Sequence, residues 1–323
     1  MTLLYSDPHF LDHDTRHGHP ERPERLRQIS AYLDETGLAA RCIRPLWANA
    51  SAERIERVHD AGYVASVEYL AARGGGRPES DTVVSAASFD VARFAAGAAC
   101  DAVDRALRGE DTTALCIARP PGHHALPDRA MGFCLFNNIA IAARVAIDEH
   151  GLDRVLVVDW DVHHGNGTQD IFYTDERVGF FSAHRWPFYP GTGASDETGS
   201  GQGLGFTRNV PLEFGTTRET YRARFRQELE SFAARVRPQL VLVSAGFDAH
   251  REDPIGSLGL EAEDFGGLTR DVLDVAAVHA GGRVVSLLEG GYNPQRLAES
   301  VAEHLQTLIA ASGIGIQPHR TVE

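Results

Sequence analysis

The sequence predicts an α/β protein with a mostly parallel central β-sheet flanked by helices on both faces. Three observations carry this. Short β-branched runs alternate with longer helical patterns along the 323 residues. The runs VLVVDW and LVLVSAG are apolar without alternation, as in strands covered on both faces. Each of four such runs ends abruptly in a cluster of Asp, His, Ser or Tyr: RVLVVD into DVHHGNG, VGFFS into AHRWPF, LVLVSAG into FDAHRED, and RVVSLLE into GGYNP. Open α/β sheets bind ligands beyond the carboxyl ends of their strands, so these segments are expected to converge on one site.

Taken in order, strands are expected at 2–6, 41–46, 113–118, 154–159, 178–182, 240–245 and 283–288. Helices are expected at 23–35, at 89–108 with Ser88 as N-cap, at 138–150 ended by Gly151, at 218–236, at 262–280, and from Pro294 onward. The Gly-rich stretch 189–206 matches no phosphate-binding pattern and reads as a flexible loop. Polar segments spread from Gly18 to Tyr292 must meet at one sheet edge, so residues 1–323 are expected to form a single domain.

Composition excludes several functions. The net charge of −14 argues against nucleic-acid binding, whose footprint is basic. All 31 basic residues are Arg, which removes Schiff-base chemistry and a phosphate-loop lysine. Cys42, Cys100, Cys116 and Cys134 form no CxxC pair and read as small core residues in a reducing compartment. Neither a signal peptide nor a membrane-length apolar run is evident, so a cytoplasmic protein with no membrane partner is expected.

Asp161 and His163 stand two apart just past a strand, where i and i+2 side chains point the same way, and Asp248 leaves a neighbouring strand end. Three oxygen and nitrogen ligands without thiolate suit a catalytic Zn²⁺, Fe²⁺ or Mn²⁺. His123 and His124 follow the rigid Pro120–Pro121 pair. Tandem histidines are ordinarily a solvated accident, but behind a strand end beside a metal trio they read as a general acid/base pair. Tyr292, after two glycines, can offer its hydroxyl to an oxyanion.

RPPGHHA (119–125), GFCLFNN (132–138), DWDVHHGNGTQ (159–169), SAGFDAH (244–250), DP.G (253–256), LEGGY (288–292) and GHPERPERL (18–26) together resemble class II histone deacetylases and their amidohydrolase relatives. The resemblance implies the arginase/deacetylase fold and zinc-dependent removal of acetyl or other short acyl groups from the ε-amine of lysine. By motif position it implies Asp161, His163 and Asp248 as zinc ligands. His123 and His124 become the catalytic pair, with Asp159 and Asn166 behind them, and Tyr292 the oxyanion donor. Gly132, Phe133, Phe188 and Ile255 would contact substrate. One K⁺ or Na⁺ would sit at Asp159, Asp161, His163 and Ser182, and a second at the backbone of Phe172, Asp175, Val178 and Phe206. Arg25 corresponds to an acetate-exit arginine.

Three rivals follow. A two-manganese ureohydrolase needs bridging Asp residues where Gly165 and His250 stand. An acetylpolyamine amidohydrolase needs an acidic gatekeeper where Ile255 stands, although Glu252 and Asp253 are close. A silent acyl-lysine binder should have lost a ligand, a His of the pair or the Tyr, and none is missing.

Overall fold

The computed structural model describes residues 1–312, so positions 313–323 of the expected domain lie outside the described residues. The strands are β1 (Leu3–Tyr5), β2 (Gly75–Gly76), β3 (Val84–Ser85), β4 (Thr113–Cys116), β5 (Val155–Asp159), β6 (Val178–Arg185), β7 (Thr207–Leu212), β8 (Leu240–Ala245) and β9 (Val284–Leu288). The helices are α1 (Glu24–Glu35), α2 (Ala52–Glu56), α3 (Ala61–Ala72), α4 (Ser88–Arg108), α5 (Asn138–Asp148), α6 (Asn166–Phe172), α7 (Arg218–Val236), α8 (Ala262–His279) and α9 (Pro294–Ser312).

Seven strands form one sheet in the order β1-β4-β9-β8-β5-β6-β7, and every pairing in it is parallel. Helices α4 and α5 cover one face, while α1, α7, α8 and α9 cover the other. Every residue of β4, β5, β8 and β9 is buried, which explains their continuous apolar runs. At the carboxyl end of β5, Asp159 lies in register with Ser182 of β6 and Ser244 of β8, so three polar residues meet where the apolar strands stop. Among the described residues no helix is long and apolar enough to cross a membrane.

Some expected elements differ. Residues 41–46 are not a strand: a 3-10 turn occupies Ala39–Arg41, and only Ile43 bridges to Leu3. The loop can add one bridge to the short β1 but cannot extend a ladder of three residues. Ser88 is the first residue of α4 rather than its cap; Ala87 holds that position, and the Ser88 hydroxyl instead bonds the Ser85 amide and His13. Strand β6 runs three residues beyond Ser182, because β7 pairs with it as far as Leu212. The stretch 189–206 is pinned by Glu197, whose carboxylate accepts the Gly193 and Ala194 amides and the Gln169 amide nitrogen. Cys42 is half-buried, and the other three cysteines are core residues.

Candidate active site

Four strand ends and the loop after β4 build the site. Beyond β5 the chain turns so that the Asp161 amide donates to Asp159 Oδ1 at 3.0 Å and the His163 amide to Asp161 Oδ1 at 2.9 Å. Asp248 arrives from the end of β8, its Oδ1 accepting the Val162 amide at 2.9 Å. The result is a buried trio, Asp161, His163 and Asp248, whose ligand atoms all lie within 4.8 Å of one another. His163 Nδ1 is 3.0 Å from Asp161 Oδ1 and 3.1 Å from Asp248 Oδ2. Asp248 Oδ2 is buried with no hydrogen-bond partner among the described residues. Burial and the Asp161 charge push the Asp248 carboxyl up to about 7. Two convergent buried carboxylates and an imidazole, with one carboxylate oxygen unsatisfied, form a donor set that fits a divalent cation. The close packing explains two glycines: a Cβ at Gly290 would stand 2.2 Å from Asp248 Oδ2, and one at Gly165 would stand 2.2 Å from Asp159 Oδ2. The second therefore leaves no room for the bridging Asp of a two-manganese site.

The paired histidines stand beside this trio, with ring centroids 4.0 Å apart. His123 Nδ1 is 2.9 Å from Asp159 Oδ2, and His124 Nδ1 is 2.7 Å from Asn166 Oδ1. Their partners drive them apart electrostatically. Burial opposes charge on His123, yet Asp159, Asp161 and Glu289 outweigh it and push the ring up to about 10. Burial and then the positive charges of His123 and His163 hold His124 well below its usual value. Because Asn166 Oδ1 can only accept, His124 carries its proton on Nδ1 and leaves Nε2 as a free acceptor.

Tyr292 follows β9, its amide held by Asp253 Oδ2 at 2.7 Å. Burial and the charges of Asp248 and Asp161 keep its hydroxyl protonated far above neutral pH. Arg25, fully buried, donates to the carbonyls of Glu289 and Gly291 and packs 5.2 Å from the Tyr292 ring centroid. Glu21 balances both Arg25 and Arg119.

A pocket of about 250 Å³ opens onto these groups, lined by His124, His163 and Tyr292 together with the expected Gly132, Phe133, Phe188 and Ile255. Phe133 and Tyr292 meet edge to face with centroids 5.8 Å apart, and Phe188 stacks on His163 at 5.2 Å. Phe133 has φ +70°, an unusual conformation for an aromatic residue, with its amide held by Thr82 Oγ1 at 3.0 Å. A Cβ on Gly132 would stand 2.3 Å from the His124 ring. Asp81 and Tyr189 complete the lining and were not foreseen. Tyr189 could have been found beside Phe188 in FYPG; Asp81 sits in a loop with no pattern to mark it. The acidic residues near Ile255 do not serve the mouth: Asp253 is consumed by the amides of Tyr292, Ile255 and Gly256, and Glu252 pairs with Arg296.

The expected cation positions form two groups. In the first, Asp159 at the end of β5 lies in register with Ser182 of β6 and accepts the amide of Asp161, which with His163 belongs to the trio. The carbonyls of Phe172, Asp175 and Phe206 each accept one backbone amide, which leaves a second lone pair, and the Asp175 carboxylate is taken by Arg144 and Arg177.

A family model described as a histone deacetylase domain matches residues 19–308. A histone deacetylase-like amidohydrolase of Pseudomonas aeruginosa is 43% identical over 277 residues, 85% of this chain and 73% of that protein. The polyamine deacetylase HDAC10 of Homo sapiens is 44% identical over 305 residues, 90% of this chain but 44% of that protein. The crystal structure of the HDA15 HD domain superposes with a TM-score of 0.91 at 36% identity, covering 96% of this chain and 89% of that one. The chain therefore belongs to the histone deacetylase family of hydrolases and has the arginase/deacetylase α/β fold.

Proposed function

We propose that this protein is a class II-type, zinc-dependent amidohydrolase, one catalytic domain that removes acetyl or other short acyl groups from lysine ε-amines in cytoplasmic proteins or peptides. The observation that supports this most is the convergence of Asp161, His163 and Asp248 with the His123–Asp159 and His124–Asn166 pairs and Tyr292 at one pocket. Held by the trio, zinc supplies Lewis acidity toward the acyl carbonyl and toward water. His124 Nε2, free and neutral, accepts the proton of the attacking water. The His123–His124 pair returns a proton to the departing amine, with Asp159 stabilising the charged form of His123. The Tyr292 hydroxyl donates to the carbonyl oxygen as it gains charge, a contribution of about 3–4 kcal/mol in comparable sites. Gly132, Phe133 and Phe188 supply apolar walls that fit an alkyl stem. The four cysteines are free thiols, consistent with a reducing cytoplasm. K⁺ or Na⁺ at the two expected positions serves to neutralise and stiffen the strand ends.

A second reading, an acetylated polyamine as substrate, draws on the 44% identity to a polyamine deacetylase and on the Asp81 carboxylate at the pocket. Ile255, apolar and in the lining, supports lysine substrates instead. Comparing kcat/KM on an acetyl-lysine peptide and on acetylputrescine separates them: a large preference for the peptide is expected, and a large polyamine preference reverses the assignment.

A further inference from the structure

Glu289 is a buried carboxylate, 1% exposed, to which the steps above give no proton-transfer role. Its backbone is fixed on two sides, the amide donating to Ala245 O on β8 at 3.0 Å and the carbonyl accepting from Arg25. From that anchor the side chain reaches the loop after β4, the neighbouring strand. Glu289 Oε2 accepts the amide of Gly122 at 2.7 Å and that of His123 at 3.2 Å, and Oε1 accepts the Ser244 hydroxyl at 3.0 Å. Two successive amides on one oxygen hold the loop at the residue that begins the histidine pair. The His123 ring is held separately, by Asp159. On the other side of Glu289, the Gly290 amide donates to Asp161 Oδ2 at 2.8 Å, and Tyr292 follows two residues later. A single residue thus touches the loop bearing the acid/base pair and begins the loop bearing the oxyanion donor, next to a carboxylate of the metal trio.

We propose that Glu289 is a positioning residue, a strut whose length sets the distance of the His123–His124 pair from Tyr292. The strut needs an acceptor oxygen at that reach. An amide oxygen accepts the same two N–H groups while its nitrogen donates to Ser244 Oγ. A carboxylate one methylene shorter keeps the charge and withdraws the acceptor. The proposal rests on the hydrolase reading, and two substitutions in the zinc-loaded protein test it. Glu289→Asp should lower kcat on an acetyl-lysine peptide by about 10–100-fold, the range for residues that orient a site, with KM and zinc content little changed. Glu289→Gln should stay within about fivefold of the parent, because acceptor geometry is retained. A fully active Glu289→Asp, or a Glu289→Gln as impaired as Glu289→Asp, overturns the proposal. Backbone amide resonances of Gly122 and His123, the two donors to Glu289, give a readout independent of turnover: they should move further in Glu289→Asp than in Glu289→Gln, and the reverse order overturns the strut. A parent protein that hydrolyses no acyl amide defeats the hydrolase reading alone.

Discussion

The two edges of the central sheet differ in a way that cavity size does not reveal. At the amino-terminal edge, ahead of β5, β6 and β8, lies a cleft of about 690 Å³ lined by Arg154, Arg177 and Arg237. At the carboxyl edge lies a pocket of about 250 Å³. The larger cleft contains polar groups occupied by the fold itself. Arg177 is bound to Asp175, Arg154 donates to Val236 O at 3.2 Å, and Gln239 Oε1 caps the amides of Asp153 and Arg154. The smaller pocket sits over buried carboxylates, an unsatisfied oxygen and two histidines with opposite electrostatic biases. On the proposed function, chemistry follows unsatisfied buried polarity at the carboxyl ends of parallel strands rather than cavity volume.

The sharpest way to break this contrast is to disable each edge in turn. Asp161→Ala should lose bound metal and fall to background turnover, whereas Arg177→Ala at the other edge should keep kcat/KM within about twofold. Metal analysis alongside kinetics checks both; an active, metal-free Asp161→Ala protein would sink the assignment. Tyr292→Phe comes next. It should retain metal and fold while kcat drops by about 10²–10³-fold, the cost of one oxyanion donor. Unaltered kcat would remove Tyr292 from the mechanism.

A smaller effect tests the two histidine environments. Asn166→Asp places a negative charge behind His124, and a nearby anion favours the protonated ring. The acid limb of the pH–rate profile should move to higher pH, and a profile that stays in place contradicts Nδ1 protonation of His124 by the Asn166 contact.

Legibility followed the same division. Residues whose type the chemistry dictates were readable: Asp161, His163, Asp248, His123, His124 and Tyr292 all reach the site. Residues chosen by packing were not. Edge strand β7 reads TRNVPL, with Pro211 tolerated because one side of the strand is unpaired and with two positions only partly buried. Helix α6 begins inside the GNG turn that carries Asn166 and was hidden by its glycines. Helices α2 and α3 were also missed; α3 is rich in small and aromatic residues without a clear apolar stripe. Asp81 and Glu289 were invisible as site residues because only tertiary contacts, with Tyr189 and with the Gly122 and His123 amides, define them.

The smallest expected effect concerns stability. His59 bridges α2 and the loop before α5: its Nδ1 donates to Leu126 O at 2.9 Å, and its Nε2 accepts the Asn137 amide at 2.8 Å. It must be neutral to do both, and burial pushes it down to about 4. With an unfolded value near 6.5, its contribution is complete above about pH 6.5 and is lost as pH falls toward 4. Thermal melts of the parent should lose stability across that window, and His59→Gln should flatten the loss; identical pH slopes would contradict the neutral-ring arrangement.

The central claim is that the carboxyl edge is a metal-dependent amide-hydrolysing site, and one measurement bears on it most directly. The protein is stripped of metal with a chelator, and release of acetate from an acetyl-lysine peptide is followed before and after adding one equivalent of zinc. The account predicts no turnover in the stripped protein and recovery on zinc addition, with none in Asp161→Ala. Acetate release that persists without metal, or that zinc fails to restore, would contradict it.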